Sequence, residues 1–245
     1  MARVAVKIGS ARIDENGHAK GGKAGDQTGK EVSTQNWYKH SKGWRVFRCI
    51  TPEKAEKIAN DMLYACNNKH IGYDQSQRLT LYNVAKNVGF DCYRVTTNCE
   101  TDCSALVRVC CAYAGIMLPN FRTSNEANVL LKSGYFTELK GSKYQASPDY
   151  LRRGDILVTK TQGHTVIVLA NGKYSENPVE CNHVIVTGNS VNIRSEPKIT
   201  CKVIGIAHEG DVFEYKHELI DGKWYKIKYD NGDGYISNKY SNLSP

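Results

Sequence analysis

Two stretches of this chain carry side chains able to perform acyl transfer. The first is Thr101-Asp102-Cys103-Ser104-Ala105-Leu106-Val107. Thr101 or Asp102 can cap the free N–H groups of a helix start, which puts Cys103 in the first turn. A thiol there feels the positive end of the helix dipole, which favours the thiolate, the nucleophilic form. The second stretch is Gly163-His164-Thr165-Val166-Ile167-Val168-Leu169, a histidine opening an apolar strand. His164 is suited to take the thiol proton while Cys103 attacks an amide carbonyl, and then to protonate the leaving amine. The backbone N–H of Cys103 is an oxyanion donor for the same step. Among nine cysteines, Cys103 stands apart because Asp102 and Ser104 flank it. Cys110 falls on an apolar stripe and reads as a small buried hydrophobe.

The elements that must hold these residues follow from periodicity. Leu106, Val109, Cys110 and Tyr113 recur at helical spacing, and Gly115 is placed to end that helix in a left-handed cap. Thr51-Pro52-Glu53 predicts a helix start, with Ala55, Ile58, Ala59, Met62, Leu63 and Cys66 as its apolar face. A second helix is predicted from about Ser76 to Val88, ending at Gly89 and burying Leu79, Tyr82 and Val88 or their neighbours. A short one runs from Ser124-Asn125-Glu126 through Leu131. Alternating Val4, Val6 and Ile8 predict a strand within Arg3–Ile13, and Trp37 and Trp44 read as core aromatics. Ile156–Val158 and Thr165–Ala170 are further strands. Between the first strand and the aromatics lies a glycine-rich loop. Its glycines at 21, 22, 25 and 29 let backbone come close to a ligand, and they enclose Asp26 and Gln27, two side chains suited to gripping a peptide or orienting His164.

From Asn182 onward the pattern changes to short strands and tight turns, among them Val191–Arg194, Val212-Phe213, Lys223–Tyr229 and Gly234–Ser237, which predicts a small all-β barrel. The expected organisation is a catalytic domain over residues 1–172, a linker over 173–182, and a second domain over 183–245.

Composition narrows the function. The net charge is +8, and Asn182–Pro245 holds eight basic and eight acidic residues. The whole excess therefore lies in the first part, which suits a polyanionic target. No nucleic-acid-binding signature accompanies it, so nucleic acid is not the expected partner. No apolar run approaches the ~18–20 residues that span a bilayer, and the polar start is too short for a secretory signal. Irregularly spaced cysteines do not make a disulfide framework, and Cys99, Cys103, Cys110 and Cys111 lack histidines at zinc spacing. Neither a metal nor a cofactor is expected.

Asp-Cys-Ser-Ala-Leu-Val, Arg153-Gly154-Asp155-Ile156-Leu157-Val158 and Gly-His-Thr-Val-Ile-Val-Leu, in that order, resemble the NlpC-type papain-like peptidoglycan hydrolases, and within them the phage endolysin amidases and endopeptidases. Gly25-Asp26-Gln27-Thr28-Gly29-Lys30-Glu31-Val32 is similar to a run in clostridial-type phage amidohydrolases. The resemblance implies an α+β papain-like fold with the cysteine helix packed on an antiparallel sheet and the histidine facing the thiol. It implies hydrolysis of an amide of Gram-positive peptidoglycan, by an N-acetylmuramoyl-L-alanine amidase or a stem-peptide endopeptidase. Cys103 and His164 would be catalytic, and Asp26, Gln27, Asp102 and Ser104 would contact substrate. A third residue orienting His164 would be Asn171, Glu176 or Asp26, and an upstream tyrosine, Tyr93, could approach the site. Asn-Ile-Arg-Ser-x-Pro and Gly-Tyr-Ile in the last part resemble a bacterial SH3-like wall-binding domain, in which Trp224 or Tyr225 would be core. An enzyme of this kind is made in the host cytoplasm without a signal peptide and acts on the wall after release. Two other readings are an inactive wall-binding protein and an intracellular cysteine protease; the latter gives no reason for an appended wall-binding domain.

Overall fold

The computed structural model describes residues 5–161, 163–175, 183–221 and 223–244, with backbone alone at 217. The chain divides into two compact units, Met1–Glu176 and Asn177–Pro245.

In the N-terminal unit the strands are β1 (Lys7–Ala11), β2 (Val32–Asn36), β3 (Trp44–Cys49), β4 (Ile71–Tyr73), β5 (Cys99–Thr101), β6 (Phe136–Leu139), β7 (Ile156–Thr159) and β8 (Thr165–Val168). The helices are α1 (Pro52–Asn67), α2 (Thr80–Lys86), α3 (Cys103–Tyr113), α4 (Glu126–Lys132) and α5 (Ser142–Ala146). Six strands form one sheet in the order β2-β1-β8-β7-β3-β6, and every neighbouring pair in it is antiparallel. A short parallel pair, β4-β5, stands beside it and leads directly into α3.

The sequence periodicity marks one stripe on α3, yet the helix is buried on nearly all sides. Leu106, Val107, Val109, Cys110 and Cys111 are all fully buried, because α1 and α2 pack on one side while β1 and β8 lie on the other. Both ends of α3 are made locally. Asp102 is the N-cap, its carboxylate accepting the N–H of Ala105 at 2.7 Å. Gly115 sits at φ +76°, and the Ile116 and Gly115 N–H groups bond the Cys111 and Ala112 carbonyls. That is a Schellman closure, and the left-handed backbone it needs is cheap only for glycine.

Helix α2 is shorter than its pattern predicts. Asp74 Oδ1 accepts the N–H groups of Ser76 and Gln77 and the Ser76 hydroxyl. This side-chain turn competes with the first helical turn, and the helix begins only at Thr80. Leu81 and Ala85 face the core in place of Leu79. Trp44 is fully buried, with its indole N–H donated to the Tyr38 carbonyl at 2.8 Å.

The C-terminal unit is all-β, with β9 (His183–Val186), β10 (Val191–Arg194), β11 (Val203–Ala207), β12 (Val212–Ile220), β13 (Trp224–Tyr229), β14 (Gly232–Ser237) and β15 (Ser241–Ser244). Their order, β11-β10-β14-β13-β12-β9-β15, shows no pairing that closes the sheet into a barrel among the described residues. Ile193, Ile227, Ile236 and Val184 are fully buried, and Trp224 and Tyr225 are both buried as well. Among the described residues no helix is long and apolar enough to cross a membrane.

Candidate active site

Cys103 is the first residue of α3, directly after its cap. The backbone N–H groups of Thr165 and Ser104 lie near enough to its thiol to favour the charged form. Thr165 opens β8 and follows His164, so the helix start and the strand start meet at the sulfur. The His164 backbone is held by two hydrogen bonds with Thr159 across the β7–β8 turn: the Thr159 N–H donates to its carbonyl, and its own N–H donates to the Thr159 side-chain Oγ1 at 3.0 Å. The imidazole lines a cleft of about 420 Å³ with Arg12, Ile13, Gln35, Tyr38 and His40. Tyr38 also lies close enough to Cys103 for a thiolate there to oppose ionisation of the phenol.

Burial decides the charge state of the pair. Desolvation, helped by the Asp102 and Glu126 carboxylates, pushes the Cys103 thiol up to about 12, against the opposing pull of the Thr165 and Ser104 N–H groups. Desolvation also brings His164 down to about 4, with His40 and Arg12 adding to it. A helix N-terminus offers a charge roughly 0.3–2 kcal/mol. Burying an unpaired thiolate costs more than that, so the thiolate expected from the helix position does not form in the free protein. Cys103 therefore rests as a thiol and His164 as a neutral imidazole. Alkylation of Cys103 by iodoacetamide, followed by peptide mass, should therefore keep accelerating with pH through 9. A rate that plateaus from pH 5 upward would mean a thiolate–imidazolium pair instead.

Asp102 and Ser104 belong to a buried network. Arg78, 4% exposed, donates to Asp102 Oδ2, to Ser104 Oγ, to Asn120 Oδ1 and to the Phe121 carbonyl. Asp102 Oδ1 takes the Ala105 N–H and the Ser104 hydroxyl. Both side chains thus anchor the start of α3 to the segment at 120–121.

Asp26 and Gln27 act within their own loop. Asp26 Oδ1 accepts from the Thr28 and Gly29 N–H groups, and the Gln27 amide donates to the Ala24 and Gly25 carbonyls. The loop lies on the β4-β5 pair, where Gly25 N–H bonds the Cys99 carbonyl and Asp26 N–H the Lys69 carbonyl. A side chain at Gly72 would meet the Gly25 carbonyl at 2.5 Å, so glycine there admits the loop. Of the residues considered for orienting His164, Asn171 accepts the Arg153 N–H at 2.9 Å, Asp26 closes its loop, and Glu176 lies outside the described residues. Tyr93 is 75% exposed, its ring against Tyr64.

Several neighbours of the pair carry no sequence signal of their own. His40 stacks edge-on to Trp44, with ring centroids 5.1 Å apart. Its Nδ1 accepts the Lys42 N–H, which leaves Nε2 as the protonated nitrogen of the neutral ring. Glu126, fully buried, accepts the Thr165 hydroxyl at 2.8 Å, while its second oxygen has no partner. Burial raises its carboxyl to about 8, so it is a neutral acid near the sulfur at neutral pH. Only a solvent-excluded position separates such a glutamate from an ordinary helix-start acid. Among the described residues no three histidine, cysteine or carboxylate side chains converge to hold a metal ion.

Comparison with known families matches residues 8–175 to an endolysin-like domain and residues 189–242 to a bacterial SH3 domain. No curated protein matches the chain. With more than half of its length inside the first match, the chain belongs to the endolysin-like domain family, and with its appended SH3 domain it has the make-up of a phage-type cell-wall hydrolase.

Proposed function

We propose that this protein is an endolysin that hydrolyses an amide bond of Gram-positive peptidoglycan through Cys103 and His164, and that its C-terminal unit holds it on the wall. The observation that carries this reading is the meeting of the Cys103 thiol with the first residue of β8, beside a cleft that His164, Tyr38 and Arg12 line.

In the reaction, neutral His164 takes the thiol proton as Cys103 attacks the carbonyl. The low basicity of the buried imidazole makes it a better acid afterwards, when it protonates the departing amine. Substrate entry displaces water from the cleft, and the N–H groups of Thr165 and Ser104 stabilise negative charge that develops at sulfur. Water then hydrolyses the thioester and regenerates the thiol. Arg12 gives the cleft a positive edge suited to wall carboxylates. Asp102 and Ser104, tied to Arg78, hold the nucleophile in place. Asp26 and Gln27 set the shape of the loop on β4-β5, and through it the approach to α3.

Mass spectrometry of products from purified peptidoglycan distinguishes the bond. Release of intact stem peptides with a new N-terminal alanine identifies an amidase, and cleavage within the stem identifies an endopeptidase. Products with intact amides and cleaved sugars would sink the proposal. A chain ending at residue 176 should still cut soluble wall fragments while losing most of its action on whole cells. Undiminished lysis of cells by that shortened chain would remove the targeting role of the C-terminal unit.

A further inference from the structure

The C-terminal unit contains a cleft of about 500 Å³ whose charged lining, among the described residues, is Arg194 and Lys239, with no carboxylate. In a segment with eight basic and eight acidic residues, such segregation is uneven. Four of the unit's other lysines are matched, Lys226 with Glu218 and Asp233, Lys216 with Glu214, Lys228 with Glu214 and Lys198 with Glu196, whereas Lys202 and Lys223 form no ion pair among the described residues. Neither Arg194 nor Lys239 forms an ion pair among the described residues. Arg194 instead donates one nitrogen to the Cys201 carbonyl, which fixes the guanidinium at the cleft. The remaining walls are of two kinds. Trp224 and Tyr240 supply aromatic surface, with Tyr240 44% exposed, and Asn189 and Asn192 supply amides that both donate and accept.

From this arrangement we infer that the cleft binds a short wall peptide by a free carboxylate. The two cations would hold the carboxylate, the asparagine amides would meet peptide N–H and C=O groups, and the aromatic walls would cover small apolar side chains. A polyol phosphate, the other anion of such walls, has no apolar side chain to place against Trp224 and Tyr240, and its repeated charges suit a longer basic strip better than a cleft with two cations. This inference rests on the wall-binding role proposed for the C-terminal unit.

The test uses full-length protein carrying Cys103→Ala, so that no substrate is consumed. Its binding is measured by calorimetry with diacetyl-L-Lys-D-Ala-D-Ala and with the same peptide as its C-terminal amide, and by co-sedimentation with purified walls. The free acid should bind at least about tenfold more tightly than the amide. Lys239→Glu should weaken both peptide and wall binding by about tenfold or more, and Lys239→Arg should retain them, with unfolding midpoints unchanged because residue 239 is exposed. Walls stripped of teichoic acid should sediment the protein as well as untreated ones. Equal affinity for acid and amide, wild-type binding by Lys239→Glu, or loss of binding on stripping would each overturn the carboxylate assignment while leaving wall binding itself in place. Failure of the parent protein to sediment with any walls would overturn the wall-binding reading together with this one.

Discussion

Replacing Cys103 by alanine should reduce hydrolysis of purified walls by at least about 10³-fold, because the proposed acyl intermediate forms on its sulfur. The fold should survive. Cys103 is 8% exposed and sits at the first position of α3, where alanine leaves the Asp102 cap and its bond to Ala105 in place. Cys103→Ser should be nearly as inactive, since a buried hydroxyl gives up its proton to a weakly basic imidazole even less readily than a thiol does. The control is Cys110→Ala. Cys110 is fully buried near the buried carboxyl of Asp61. Its truncation should cost stability on the order of 1–3 kcal/mol with little change in rate. Amine release from walls and urea unfolding separate the two effects. Retention of most wild-type activity by Cys103→Ala would refute the mechanism.

The second large effect is expected at Arg78, which contacts neither the sulfur nor the cleft. Its guanidinium joins buried Asp102, Ser104 and the Phe121 carbonyl, with exposed Asn120 at the edge of the site. Removing one partner of a buried ion pair leaves the other charge without compensation, at a cost of about 3–5 kcal/mol. Arg78→Ala should therefore lower stability by about that amount in urea unfolding. Activity should fall with it, because Asp102 would no longer hold the start of α3 in register with β8. The double variant Arg78→Met, Asp102→Asn removes both charges and should recover much of the loss. A cost below about 1 kcal/mol for Arg78→Ala would mean that water reaches the pair, as at exposed ion pairs.

The amino-acid sequence by itself determined the helix that carries Cys103, its cap and its glycine stop. All three depend on residues within a few positions of one another: Asp102 with Ala105, and Gly115 with Cys111 and Ala112. The strand that follows His164, the change to short strands near Asn182, and the family were legible for the same reason, since apolar periodicity and ordered motifs are local properties. Tertiary structure decided what lies around the sulfur. The family resemblance reads Asp102 and Ser104 as substrate contacts, and no sequence motif singles out Arg78. Folding the segment at 120–121 over them turns all three into an internal clasp. The position of Cys103 on its helix predicts a thiolate, but the sheet behind that helix excludes water and keeps the proton on sulfur. Tyr38, His40 and Arg12 reach His164 only because β1 pairs with β8 across more than 150 residues of chain. Charge state and cleft lining are set by desolvation and long-range pairing, and neither leaves a periodic mark on the sequence.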